Sequence, residues 1–80
     1  MRDISVGYIV VRATMEDDGI YISEVFERFE HGEIITSVNI DDVGLFEHKQ
    51  MAEDVAVRLN EELSDGWTVI EVFLKEDEHE

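Results

Sequence analysis

The chain has 80 residues, of which 21 are Asp or Glu and only six are Lys or Arg, so its formal net charge at pH 7 is −15. Eighty residues are enough for one small domain, and a hydrophobic content of 44% is normal for a folded chain, so the acidity does not indicate disorder. The charge argues against binding to nucleic acid or to anionic membranes. The absence of cysteine excludes disulfides and thiolate metal sites.

The first residues have no secretory pattern, because Met1-Arg2-Asp3 lead directly into a strand pattern without an apolar core or a cleavage site. The longest apolar run is Tyr8–Val11, which is far too short to span a bilayer. We therefore expect a cytoplasmic protein.

Three segments in the first half of the chain have the alternation that is typical of β-strands. The first, Ile4–Ala13, carries apolar side chains in both alternation sets, which is typical of an interior strand. The second covers Ile20–Phe29 and the third covers Glu33–Ile40. Gly7, inside the first strand, predicts a bulge or a close packing contact.

Two turns separate these strands. The sequence Glu16-Asp17-Asp18-Gly19 contains Asp-Gly, a strong hairpin signal, and His31-Gly32 predicts the second turn. Tight turns of this kind make the three strands an antiparallel meander.

After Gly44 the apolar period changes from two residues to about 3.6. One apolar stripe at helical spacing comprises Met51, Ala52, Val55, Ala56, Leu59 and Leu63. Ser64-Asp65-Gly66 is predicted to end the helix, with Gly66 in the C′ position. The alternation of Trp67–Lys75 predicts a closing strand.

The predicted fold is a single α+β domain over residues 1–75 with the element order β-β-β-α-β, followed by a frayed acidic tail over residues 76–80. We expect a four-stranded mixed sheet in the order 4-1-2-3, with the fourth strand parallel to the first through a right-handed crossover. One helix covers one face of such a sheet, so we expect a second copy or a partner to bury part of the other face, with packing of the tail or of the Asp42–Glu47 loop as the alternative. The candidate dimer residues are Ile4, Val6, Tyr8, Ile22 and Phe26, or the opposite alternation set.

One stretch of 18 residues holds seven acids against a single base, Arg28. These candidate partner-binding residues are Glu16, Asp17, Asp18, Glu24, Glu27, Glu30 and Glu33. Two interpretations are open. The carboxylates either serve solubility, or they imitate the phosphates of nucleic acid and compete for Arg- and Lys-rich grooves.

No pattern for catalysis, a cofactor or a metal is present. The three histidines lack metal-ligand spacing, and the paired carboxylates at Asp17-Asp18, Asp41-Asp42 and Glu61-Glu62 have no nucleophile or His partner beside them. We expect a non-enzymatic protein without cofactor. Among the aromatic residues, Trp67 and Phe46 are predicted to be core, and Tyr21 and Phe29 are the candidates for exposed anchors.

The meander, followed by Phe46…Met51-Ala52…Val55-Ala56 on a helix and Trp67-Thr68-Val69-Ile70-Glu71-Val72 on a closing strand, resembles small uncharacterised proteins of bacteriophages and prophages. The small size, the acidity and the lack of cysteine are also similar to phage-encoded inhibitors of host defence, which include anti-CRISPR proteins and DNA mimics. This resemblance implies an inhibitor, acting in the host cytoplasm, that occupies the basic nucleic-acid groove of a host protein. The alternative is a structural or accessory phage or bacterial protein that dimerises, or binds a partner, through its apolar sheet face.

Overall fold

The computed structural model describes residues 2–76, with side chains for residues 4–74. The elements in chain order are strand β1 (Arg2–Glu16), strand β2 (Gly19–Glu30), strand β3 (Glu33–Ser37), a single 3-10 turn (Ile40–Asp42), helix α1 (Lys49–Glu62) and strand β4 (Trp67–Glu76). The chain forms one α+β domain, as predicted. Strand β3 is shorter than its predicted span, and the expected frayed tail lies beyond the described residues except for Glu76, which belongs to β4.

The sheet has the order β3-β2-β1-β4, which is the predicted order, but every neighbouring pair is antiparallel. The predicted parallel pairing of the first and last strands is therefore wrong. The reason lies between β3 and α1, where the chain returns along the sheet until Phe46 pairs with Tyr8. From there α1 runs in the direction of β1 and ends beside the Arg12–Trp67 pair. Strand β4 therefore starts at that end of β1 and runs antiparallel to it.

The returning segment, residues 43–46, fills a fork in the sheet. Strands β1 and β2 pair only between Val11 and Glu16 of β1, and they diverge on the N-terminal side of Val11. Gly44 N–H donates to the Phe26 carbonyl at 2.8 Å, and Phe46 exchanges two 2.8 Å backbone hydrogen bonds with Tyr8. The segment thus bridges the two strands where their own ladder stops.

Two glycines make this approach possible. Gly7 has φ +146° at the predicted bulge of β1, and a Cβ there would lie 2.6 Å from the Phe46 carbonyl oxygen. A Cβ on Gly44 would clash with the Glu27 carbonyl oxygen. Only glycine lets these backbones come so close.

One apolar core lies between the sheet and the helix. Ala52, Ala56 and Leu59 of α1 are buried against the sheet, and the two alanines allow close approach. The buried members of this core are Val10, Phe26, Ala52, Ala56, Leu59 and Trp67. Trp67 lies beneath the helix as predicted, whereas Met51 and Leu63 at the ends of the predicted stripe are exposed.

The opposite sheet face has a smaller core of its own. Ile9, Val11 and Val25 are buried there, and Val43 of the returning segment packs over them. This face is therefore partly covered from within the chain. Because Phe26 is buried and Tyr8 packs on the helix side, neither can contribute to a dimer through this face, and that part of the dimer prediction is wrong.

The β2–β3 turn has the expected residues. Glu30 pairs with Glu33, and the two residues between them, His31 and Gly32, have φ +53° and +80°. Positive φ at both central positions is the requirement of a type I′ turn. Among residues 2–76, no helix is long and apolar enough to cross a membrane.

Candidate functional site

Three of the seven predicted acids lie together at the β1–β2 turn. Glu16 pairs with Gly19, so Asp17 and Asp18 are the two central residues of the turn. All three residues are exposed, and the structure gives none of them an ion-pair partner among the described side chains. We call Glu16, Asp17 and Asp18 the acidic turn.

Glu24 is placed differently, because it lies half-buried on the helix side of the sheet. Its carboxylate accepts a 2.6 Å hydrogen bond from the Thr36 hydroxyl and lies 3.9 Å from Arg12 Nε. Glu24 therefore helps to join β2 to its two neighbouring strands, and it is not available as a free charge.

Glu27 and Glu30 are both partners of Arg28. The guanidinium contacts Glu27, and its Nη2 donates to Glu30 at 2.6 Å. The hydrogen bond to Glu30, together with the charge of Glu27, raises the pKa of Arg28 above its ordinary value. The three side chains form one ion cluster, in which Glu27 is half-buried and the other two are exposed, and its net charge is −1.

Glu33 and Glu30 close the far end of β2, opposite the acidic turn. Eleven residue steps separate Gly19 from Glu30, which corresponds to roughly 36 Å of strand, and the described part of the chain is 46 Å long. The structure therefore does not bring the seven predicted acids into one patch. It brings three of them together at the acidic turn and pairs three others with basic side chains.

Each of the four basic side chains that the structure describes forms an ion pair with a nearby acid. Arg12 pairs with Glu24, and Arg28 pairs with Glu27 and Glu30. On the helix, Lys49 and Arg58 pair with the glutamates one turn further along, at 3.9 and 2.7 Å. Residues 4–74 contain sixteen acids, so most of the negative charge is left without a basic neighbour within the described part of the chain.

The two aromatic anchor candidates differ in their surroundings. Tyr21 is exposed beside the acidic turn, and its hydrogen bond to Asp18, with a smaller contribution from desolvation, raises the pKa of its hydroxyl. Phe29 lies under Arg58, whose guanidinium carbon is 4.8 Å from the ring centroid, and it also contacts Phe26. Tyr21 is therefore the aromatic residue that accompanies the free acids.

An apolar surface continues from the acidic turn on the sheet face opposite the helix. Met15 is 78% exposed, and Ile20 and Ile22 on the paired strand are 58% and 44% exposed. We call these three residues the apolar strip. Beside it is an open hollow of about 370 Å³, lined mainly by apolar atoms of Ala13, Met15, Ile20 and Ile70.

Within the described residues, no three His, Asp or Glu side chains are close enough to hold a metal ion. Comparison of the chain with protein-family models, with curated proteins and with solved structures found no match.

One potential binding surface, the outer edge of β4, was not predicted from the sequence. The predicted strand order already makes the last strand an edge strand, which is the signal that was present. What the sequence did not indicate is the groove between this edge and α1, about 520 Å³ in volume, because it depends on where the helix crosses the sheet.

Proposed function

We propose that this chain is a non-enzymatic binding protein that occupies the basic nucleic-acid groove of a partner protein, in the manner of a phage-encoded inhibitor such as an anti-CRISPR protein or a DNA mimic. The observation that carries the proposal is the acidic turn. It presents three consecutive carboxylates on a tight hairpin, where no described base neutralises them.

The density of charge at the turn is suited to this role. Successive Cα atoms are about 3.8 Å apart, so the three carboxylates project from a stretch of roughly 8 Å. Duplex DNA carries one negative charge per about 1.7 Å of its axis. A groove lined with Arg and Lys would therefore meet a charge density of the same order, and Tyr21 beside the turn offers a ring for stacking or hydrogen bonding.

The hairpin also favours fast and specific association. Its backbone is fixed by pairing on both sides of Asp17 and Asp18, so little conformational entropy is lost on binding. The field of a strongly acidic chain steers it toward basic partners, and this attraction weakens as salt screens it.

The acids in ion pairs contribute less. Replacing Glu24 would remove contacts that join three strands, and replacing Glu27 or Glu30 would release Arg28. Charge changes at these positions therefore mix folding effects with binding effects. The acidic turn is the cleaner target for mutation.

The test uses the immobilised chain in a lysate of the organism that carries the gene, with elution by a short DNA duplex at constant salt. We expect the duplex to release one or a few basic nucleic-acid-binding proteins. A turn variant (Glu16→Gln, Asp17→Asn, Asp18→Asn) should capture much less of them. A control variant with the same net charge (Asp41→Asn, Glu47→Gln, Glu61→Gln) should capture nearly as much. Equal capture by both variants would contradict the acidic turn as the contact.

A second function is supported by the apolar strip. Three exposed apolar side chains beside a hollow are typical of an interaction surface, and a structural or accessory protein that dimerises or binds a partner there would need its acidity only for solubility. In that case replacement of the acidic turn would leave binding unchanged, and Ile20→Thr would abolish it.

A further inference from the structure

We propose that the outer edge of β4 binds an extended, basic segment of a partner protein as a fifth, antiparallel strand of the sheet. The residue opposite Glu71 and its alternate neighbours would be Lys or Arg, and the residues between them would be apolar. This surface is separate from the acidic turn, and the proposal does not depend on the function proposed above.

The direction of the backbone groups in β4 follows from two observations. The backbone N–H and C=O of Tyr8 both form hydrogen bonds with Phe46, on the side of β1 away from β4. Tyr8 and its partner Glu71 are therefore a non-hydrogen-bonded pair. The N–H and C=O of Glu71 thus point away from β1, toward the free edge of the sheet. The backbone of Trp67 also points outward, since both of its groups bond to Asn60 of the helix.

Alternation along the strand gives the rest of the edge. Trp67, Val69, Glu71 and Phe73 have the same parity, so their backbone groups face outward. Asn60 satisfies only the first of these positions. The edge from Val69 onward has no backbone partner among the described residues.

Edge strands of natural proteins are usually protected by shortness, by proline, by lysine or by a bulge in the strand itself. Strand β3, at the other edge, has five residues, whereas β4 has ten. Between Trp67 and Leu74 the only charged residue of β4 is Glu71, and the chain contains no proline. A long, unprotected edge of this kind is the usual template for strand addition.

The groove beside this edge indicates what the added strand carries. Its wall on the helix side includes Gln50, Asp54 and Val57, and Trp67 and Val69 form its floor. Side chains on the helix face of an added strand would enter this groove.

The charges of the groove favour a basic occupant over a second copy of the chain. Within the groove Lys49 is paired with Glu53 at 3.9 Å, so Asp54 is the groove acid that no described base contacts. Glu71 lies outside the groove, on the edge itself, where its carboxylate accepts a 2.7 Å hydrogen bond from the Ser5 hydroxyl and has no described base as a partner. A second copy would place its own Glu71 and a net charge of −15 against them. On the other sheet face, Ile70 and Val72 offer an apolar surface to the alternate side chains.

Antiparallel pairing makes a specific prediction about the strand. The residues of β4 with outward N–H groups have their side chains on the helix face, and hydrogen-bonded partners share a face. Each basic residue of the added strand must therefore use its own N–H and C=O to bond with β4. The apolar residues direct theirs away.

The test titrates the isotope-labelled chain with a short capped peptide of alternating Lys and Val and follows the amide resonances. We expect shifts and slowed exchange at Val69, Glu71 and Phe73. Methylation of the backbone nitrogens of the Lys residues should weaken binding by at least about tenfold, which is the loss of about 1.4 kcal/mol. Methylation of the backbone nitrogens of the Val residues should leave the affinity within about twofold. A peptide of alternating Glu and Val should not bind.

A variant of the protein gives the matching evidence. Glu71→Pro removes an outward N–H, which an edge strand tolerates, and should weaken peptide binding at least about tenfold. Glu71→Gln, which keeps the N–H, should weaken it less. If Glu71→Pro does not fold, the methylated peptides still decide. Equal binding of both methylated peptides, shifts confined to the acidic turn, or a chain that sediments as a dimer with protected β4 amides would each overturn the proposal.

Discussion

The side-chain amide of Asn60 forms with Trp67 the two hydrogen bonds that a neighbouring strand would form. Asn60 Nδ2 donates to the Trp67 carbonyl at 3.1 Å, and Trp67 N–H donates to Asn60 Oδ1 at 2.9 Å. One helical side chain thus satisfies the first outward-facing residue of β4. It also fixes the end of the helix over the strand that follows it.

We expect Asn60→Ala to destabilise the domain by about 1–3 kcal/mol, because both backbone groups of the buried Trp67 lose their partner. Urea unfolding monitored by the single tryptophan measures this. The control is Gln50→Ala, which removes an exposed amide bonded to Asp54 on the same helix and should change stability by less than about 0.5 kcal/mol. Equal effects of the two substitutions would contradict the role given to Asn60.

Three glycines separate the effects of backbone strain and of close contact. At Gly19 a Cβ would contact nothing within 4 Å, but the backbone has a φ of +149°, which side chains rarely adopt. At Gly44 the backbone conformation is ordinary, but a Cβ would clash with the Glu27 carbonyl. Gly7 combines a positive φ with a clash. We expect Gly7→Ala to destabilise most, by about 3 kcal/mol or more, and each of the other two by about 1–3 kcal/mol. Thermal or urea unfolding ranks them, and Gly7→Ala as the mildest of the three would be inconsistent with the fork in the sheet.

The sequence predicted the strands, the helix and the strand order well, because each element has its own period and two tight turns separate the first three strands. It did not predict the direction of β4. That direction depends on the returning segment, whose pairing of Phe46 with Tyr8 is a long-range contact without a local signal. Val43 of the same segment packs on the second sheet face, where the Asp42–Glu47 loop was the predicted alternative to a partner.

The candidate site was predicted only in part. The density of acids along the chain was evident, but density in sequence is not density in space. Glu24 and the acidic turn belong to the same strand pair, yet one is half-buried beside Arg12 and the other is exposed. Whether an acid is free depends on where the bases lie, and Arg12 reaches Glu24 only through the register of β1 and β2.

The hydroxyl of Tyr21 should titrate above the ordinary tyrosine pKa of 10.0, because it donates a hydrogen bond to the Asp18 carboxylate. Since the folded pKa is raised, the resulting stabilisation is fully present below pH 10 and is lost as pH rises through the folded value. NMR of the tyrosine ring carbons measures the titration. Asp18→Asn should return the pKa toward 10, and Asp17→Asn should leave it raised. No change on Asp18→Asn would contradict the hydrogen bond.

The apolar strip predicts salt-dependent self-association. We expect the chain to sediment near 9.3 kDa at low salt, because charge repulsion opposes a dimer, and to shift toward twice that mass when salt screens the repulsion. Ile20→Thr should prevent the shift. Val38→Thr, which alters a strongly exposed apolar residue outside the strip, should not. If both variants associate as the parent chain does, the strip is not the interface.

The most direct test of the proposed function is competition for the captured partner, measured by the fluorescence anisotropy of a labelled DNA duplex bound to it. We expect the chain to displace the duplex. The turn variant should need on the order of tenfold more protein, since three exposed charge contacts are worth about 0.2–1 kcal/mol each. The control variant of equal net charge should behave nearly as the parent does. If the duplex stays bound at saturating concentrations of the chain, so that the partner holds the chain and the DNA together, the proposed function is contradicted.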